Sequence, residues 1–177
     1  MNTMKAVRLF EFGGPDKLRY GDHPMPDVGP TDVLVKVLAT SVSRWDVKYR
    51  TGEVHEFYGK STGHHGGIHG RRAFPMPMQL GRDIAGEVAA VGAGVTTLAP
   101  GDRVLGMTNP ENTLSLASIR GATRNDQRVV AELLEKGRIR MPIHAVLPLA
   151  KAAEAHAMLE HSEDLVGRIV LHPWDEV

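Results

Sequence analysis

Residues 81–104 read GRDIAGEVAAVGAGVTTLAPGDRV, and no other stretch of the chain constrains the fold as tightly. Residues 84–91 form a short apolar run of strand length. Gly86 interrupts it, and a glycine inside a strand marks a bulge or a close backbone approach. Gly92-Ala93-Gly94 and then Pro100-Gly101 supply turns, because glycine reaches backbone angles that other residues avoid and proline fixes its own. Residues 104–107 predict a further short strand. A chain that turns twice between short strands is building local antiparallel sheet, the raw material of a small barrel.

The flanking sequence agrees. Residues 4–10 predict a strand, Asp27-Val28-Gly29-Pro30 a turn, and residues 32–39, with Val33, Val35 and Val37 alternating, another strand. Residues 43–50 predict a short helix with Ser43 as its N-cap and Asp46 in its first turn. Residues 53–78 read as a long irregular loop rich in Gly, His, Arg and Pro. Residues 115–120 predict a strand. Residues 126–136 predict a helix with Val129, Val130, Leu133 and Leu134 on one face and Gly137 just past its end. A second amphipathic helix is expected over 148–160, with Pro148 near its first turn, and a closing strand over 167–172. The fold class expected is mainly β with flanking helices (α+β).

Composition excludes more than it specifies. The 177 residues suffice for one domain with a proper core. Lys and Arg (21) balance Asp and Glu (21), so net charge draws the chain toward neither nucleic acid nor membrane. No apolar run approaches the ~20 residues that cross a bilayer, and no signal peptide is visible, so the cytoplasm is the expected compartment. With no cysteine there are no disulfides and no thiolate ligands for a metal.

Several marks combine into a resemblance: Met4-Lys5-Ala6-Val7, Gly29-Pro30 before a strand, Trp45-Asp46 with Arg50-Thr51-Gly52, and the frame Gly81-Arg82-Asp83-Ile84-Ala85-Gly86, Val91-Gly92-Ala93-Gly94-Val95 and Pro100-Gly101-Asp102-Arg103-Val104. Together they resemble the medium-chain dehydrogenase/reductase family, on its zinc-free quinone-oxidoreductase side. Near the C-terminus, Gly137-Arg138-Ile139, Leu147-Pro148-Leu149, Ala155-His156 and Gly167-Arg168-Ile169-Val170-Leu171 resemble the end of such proteins. The resemblance implies a GroES-like distorted β-barrel over 1–110, completed by a C-terminal helix and strand within 126–177. Residues 111–125 form a junction where relatives carry a Rossmann domain. No Gly-x-Gly-x-x-Gly follows a strand. Thr97 stands where Gly92-Ala93-Gly94 would need its third glycine, so these glycines are expected to make a barrel turn rather than a phosphate cradle.

What the resemblance implies for chemistry follows residue by residue. Arg82 stands where zinc-dependent members place a ligand histidine, and Ser43 where they place a cysteine, so no zinc is expected. Ser43, Asp46, Arg82 and Asp83 are the expected catalytic residues, with Trp45 and Tyr49 on the substrate side. Ser43 is expected to donate to a substrate carbonyl and Trp45 to stack on a flat ring. Arg82 either pairs with Asp46 or Asp83 or stabilises negative charge developing on oxygen. The implied cofactor is NADPH and the implied partner a small-molecule quinone, enone or carbonyl substrate. The chain alone is expected to transfer no hydride, since half a cleft neither excludes water nor fixes the reacting geometry.

Two other readings stand beside this one. The chain is alternatively a non-catalytic GroES-like module that binds a small molecule or partner, and residues 115–120 offer an unpaired edge for a homodimer. His64, His65 and His69, with His55 nearby, make a histidine-rich loop that binds metal only if other groups fix it. Arg71-Arg72 adjoins that loop as a solvated rim. His156 is expected to pack beside the core.

Overall fold

The computed structural model describes residues 2–60, 76–107 and 124–173. The first sheet begins with β1 (Thr3–Leu9), which turns into β2 (Leu18–Pro24). β1 carries the buried Ala6 and Leu9 on an otherwise more open strand. β3 (Val33–Val42) is longer and leads through Ser43 into α1 (Arg44–Thr51). Gly52, at φ +90°, ends α1 in the left-handed conformation, and the backbone restarts at once as α2 (Glu53–Lys60). This corrects the expected loop over 53–78. Val54 buries its side chain beside Leu9, Tyr49 and Met78, and that burial holds a second helix where composition suggested irregular chain. Residues 61–75 of that loop, including His64, His65, His69, Arg71 and Arg72, lie outside the described residues.

The chain continues through β4 (Met78–Gln79), β5 (Asp83–Val91) and β6 (Arg103–Met107). Then come α3 (Arg124–Glu135), β7 (Ile143–Pro148), α4 (Ala152–His161) and β8 (Arg168–His172). Gly137, at φ +64°, closes α3 as expected, its N–H bonding Leu134 O at 3.0 Å. The 148–160 helix begins later than predicted, because Pro148 still belongs to β7 and a short 3-10 turn intervenes. The strand expected at 115–120, and the dimer contact assigned to it, lie outside the described residues.

The strands form two sheets, β2-β1-β4 and β6-β5-β3-β8-β7. β8 lies antiparallel to β3 and parallel to β7, so the C-terminal segment extends the sheet begun by the N-terminal strands. α4 is the crossover that a parallel pair requires. It buries Ala152, Ala155 and Leu159 against Val42, Ile169 and Leu171. The arrangement is sheet-rich with a few helices, the fold class expected from sequence.

Two glycines show why the 81–104 frame constrains the fold. A Cβ at Gly86 would meet Lys36 O at 2.3 Å, so β5 passes β3 closely at that point, beside a register shift between Val37 and Ala39. A Cβ at Gly92 would meet Gly29 O at 2.0 Å. Gly92 N–H bonds Asp32 O at 2.8 Å and Gly94 N–H bonds Pro30 O at 2.7 Å, which locks two distant turns together. Gly92→Ala is expected to lower stability by about 1–3 kcal/mol, through forced backbone displacement. Gly21→Ala, where a Cβ meets nothing within 4 Å, should stay within about 0.5 kcal/mol. Equal thermal midpoints for the two variants would refute the lock.

Candidate functional site

The N-terminus of α1 sits against residues 80–83, and the capping chemistry of the sequence explains how. Ser43 leaves β3 in extended conformation and caps α1. Three residues on, Asp46 reaches back, as an acidic residue at that position does. Its Oδ2 accepts from Ser43 N–H at 2.8 Å and Ser43 Oγ–H at 2.7 Å, while Oδ1 accepts from Gly81 N–H at 3.1 Å. Asp46 is therefore both a helix cap and a tie between α1 and the Gly81 turn. Burial pushes its pKa up, the hydrogen bonds from Ser43 and Gly81 pull it down, and the charge of Asp83 adds to the rise.

Asp83 is tied from the other side. Ser41 Oγ–H donates to its carboxylate, and Thr40 Oγ1–H donates to its backbone carbonyl at 2.6 Å. Residue 82 is thus held between two neighbours that are each fixed to β3 or α1. Arg82 forms no ion pair with Asp46 or Asp83; the Asp46 carboxylate accepts from Ser43 and Gly81, and that of Asp83 from Ser41. The half-buried Arg82 instead keeps a fully buried Nε with no hydrogen-bond partner.

Ser43 and Asp46 bond each other and Asp46 bonds Gly81, while Asp83 bonds Ser41 and the Arg82 side chain bonds none of the other three. Trp45 and Tyr49 are not in one place. Trp45 is 54% exposed, with Lys48 Nζ 5.8 Å from its ring centroid. Tyr49 is 5% exposed and packs in the core with Leu9, Val54 and Met78. A residue of α1 facing that core presents no open surface to a substrate.

Sequence reasoning missed a second cluster. Arg50 is fully buried. Its Nε–H donates to His156 Nδ1 at 3.3 Å, one terminal nitrogen donates to Gly13 O, and the other meets Glu160 Oε1 at 2.5 Å. Burial, and after it the charge of Arg50, lowers the His156 pKa to about 4. His156 does pack beside the core, but as a hydrogen-bond acceptor rather than as inert filling. The only sequence signal was the unusual coincidence of an Arg on the inner face of one helix and a His on the inner face of another. A hollow of about 40 Å³ lies between Asp46 and His156, walled also by Thr40, Ser41, Gly81 and Leu171. It has room for a water or two.

Neither the zinc of metal-dependent members nor the implied dinucleotide fits these residues. Catalytic zinc needs three protein donors drawn from thiolate, imidazole and carboxylate. Here the set is a hydroxyl bound to Asp46, a guanidinium, and carboxylates already accepting from serines. Among the described residues no group of three or more His, Asp or Glu could hold a metal ion. The described residues also contain no glycine-rich strand-to-helix turn for a dinucleotide, and the hollow is far too small for a nicotinamide ring. No helix among them is long and apolar enough to cross a membrane.

Comparison with known proteins gives the geometry a setting. Residues 29–132 match the family model of the alcohol dehydrogenase GroES-like domain. Sorbitol dehydrogenase of Ovis aries is 35% identical over 91 residues, 51% of this chain and 22% of that protein. Quinone oxidoreductase of Pseudomonas aeruginosa is 33% identical over 109 residues, 60% of this chain and 27% of that protein. The matches thus span about a quarter of the length of these relatives. The structure of the quinone oxidoreductase from Coxiella burnetii superposes with a TM-score of 0.78 at 16% identity, over 98% of this chain and 100% of that one. That likeness is one of fold. With the family model covering more than half its length, the chain belongs to the alcohol dehydrogenase GroES-like domain family, the catalytic-domain family of the medium-chain dehydrogenases/reductases.

Proposed function

We propose that this chain is the substrate-side half of a zinc-independent, NADPH-linked oxidoreductase acting on quinones, enones or carbonyl compounds, and that it transfers no hydride by itself. The observation that carries the reading is Arg82. A permanent cation stands where zinc-dependent members place a ligand histidine, between two residues that are clamped to β3 and α1. A nicotinamide cofactor supplies hydride in such enzymes. The part played by this chain is to present polar groups to the substrate oxygen. Arg82 offers charge, and Ser43 offers a hydroxyl once its bond to Asp46 is exchanged. Asp46 holds Ser43 and Gly81 in register, so it acts as a positioning residue.

The test is an amide NMR titration of the chain with duroquinone, 2-cyclohexenone and cyclohexanone, with and without chelator. At least one ligand is expected to shift the amides of Ser43 and of residues 81–83, with the chelator making no difference. NADPH added to the same sample should give no turnover. Shifts confined to other regions, stoichiometric zinc that the chelator removes with loss of those shifts, or NADPH turnover by the chain alone would overturn the reading.

A further inference from the structure

We infer that the free edge of β7 is a docking surface for a second copy of this chain, the two β7 strands pairing antiparallel about a two-fold axis. Among the described residues the two sheets end in the edge strands β2, β4, β6 and β7. An edge strand shows unpaired N–H and C=O groups to any chain that meets it, and folded proteins blunt such edges with charged side chains or by keeping them very short. The other three edges follow that rule: β2 carries Arg19 and Asp22, β6 carries Arg103, and β4 is only two residues long. β7 does not, since residues 141–150 contain no Asp, Glu, Lys or Arg. Its prolines stand at the ends, Pro142 just before it and Pro148 as its last residue, so neither interrupts residues 143–147.

The side chains agree with the backbone. β7 sets Ala145 and Leu147 beside Ile169 and Leu171 of the core. Ile143 and Val146 pair with Arg168 and Val170, which are next-but-one neighbours on β8, so both lie on the outer face, where each is 57% exposed. The chain that leads into β7 is open and apolar as well: Val129, Val130 and Leu134 of α3, then Ile139 and Met141, are 38–58% exposed. No residue of α3 enters either core cluster of the described residues, and a 12-residue helix is marginal in water unless its apolar face is covered. Between Val129 and Val146 these side chains expose on the order of 600 Å² of apolar surface, about the most that a monomer leaves open, and two copies would cover about 1,200 Å², the lower bound of a specific interface. A strand without charge meets its own copy with no like charges opposed, and a two-fold axis joins the outer faces of the two strands into one apolar surface. The chain as a whole has zero formal net charge, so no long-range repulsion keeps copies apart. Each edge then covers the other, and assembly stops at the dimer.

Sedimentation velocity of the full chain from about 1 to about 500 µM tests this. A monomer–dimer equilibrium is expected, with amides of residues 143–147 exchanging hydrogen more slowly at the high end. Val146→Lys is expected to raise the dimer dissociation constant at least about a hundredfold, since it removes apolar burial from both copies and opposes two like charges. Ile143→Lys should act in the same direction, and it decides if Val146→Lys fails to fold. Leu105→Lys is the control: Leu105 is 64% exposed on β6, at the opposite edge of the same sheet, and its change should leave the constant within about twofold. A monomer across the whole range would leave the edge to a different chain and overturn the inference. So would a dimer that Val146→Lys and Ile143→Lys leave intact, a dimer that Leu105→Lys dissolves, or a mass that grows past two copies.

Discussion

Glu160→Ala is expected to lower the folding stability of the chain by about 3–5 kcal/mol, more than any other single substitution considered for this protein. The reason lies in Arg50. Its side chain is fully buried, and Glu160 is the carboxylate that neutralises it, at 2.5 Å. Arginine does not shed its proton at any accessible pH, so removing Glu160 strands a cation inside the protein. The Glu160 side chain is 27% exposed. Water can therefore enter part of the vacated space, which places the loss toward the lower end of the range. Removing both charges is a different matter. The double variant Arg50→Met/Glu160→Leu trades a buried ion pair for apolar packing, an exchange that is often neutral. It still leaves Gly13 O and His156 Nδ1 without their donor, so wild-type stability is not fully restored. The double variant should nevertheless exceed Glu160→Ala by at least about 1 kcal/mol. Urea denaturation at constant m value measures both numbers. A Glu160→Ala midpoint close to wild type, or a double variant no better than the single one, would show that Arg50 finds its compensation elsewhere.

That cluster also marks where the sequence stops being readable. β1, β3, β5, β6 and β8 announce themselves by alternation or by apolar runs, and the α1 cap by Ser43 with Asp46 three residues on. These are local signals, and each element formed within a few residues of where its pattern placed it. β2 carries no such signal. Residues 18–24 read LRYGDHP, with mostly polar side chains, and the segment becomes a strand because β1 offers it a continuous antiparallel register from Thr3↔Pro24 to Leu9↔Leu18. β7 is short and bounded by Pro142 and Pro148, with Ile143 and Val146 exposed, so its pairing to β8 rather than its own composition makes it a strand. α2 was hidden by Gly52, which ends one helix while the next begins at once.

The candidate site divides along the same line. That residues 43–46 meet the turn at residue 81 was legible, because both segments belong to one motif. Which donor meets which acceptor was not legible. The carboxylates expected to pair with Arg82 accept instead from Ser41, Ser43 and the Gly81 amide, short or backbone donors that lose less side-chain freedom than a long arginine does. Tyr49 follows Trp45 by four residues and shares its side of α1, yet Tyr49 packs in the core while Trp45, in the first turn, is exposed, a difference that helical spacing does not encode. Arg50 and Glu160 are 110 residues apart in sequence. No local pattern announces such a meeting.

The chain should lose stability as pH falls from about 6.5 toward about 4, on the order of 3 kcal/mol through His156 alone. The sign follows from which state binds the proton. Burial and the Arg50 charge depress the folded pKa of His156 to about 4 from its ordinary 6.5. In that window the unfolded chain takes up a proton that the folded chain refuses. Stability is therefore fully present above pH 6.5 and drains away as pH falls through the folded pKa. The geometry gives the same answer, because protonated His156 would turn its Nδ1 acceptor into a donor facing the Arg50 Nε–H. Two carboxylates modify the slope. Glu160 neutralises Arg50 and softens the repulsion on a protonated imidazole. Asp46, across the small hollow, has a raised pKa, so its protonation favours the folded state at the acid end and offsets part of the loss. The comparison that isolates His156 is His156→Asn, whose Oδ1 retains an acceptor near Nδ1 but does not titrate. Denaturation midpoints for both proteins at pH 7, 6, 5 and 4 should diverge, with the wild-type curve the steeper by about one proton between pH 6 and 5. Parallel profiles would mean that His156 is free to charge in the folded chain, and that the contact with Arg50 does not hold it neutral.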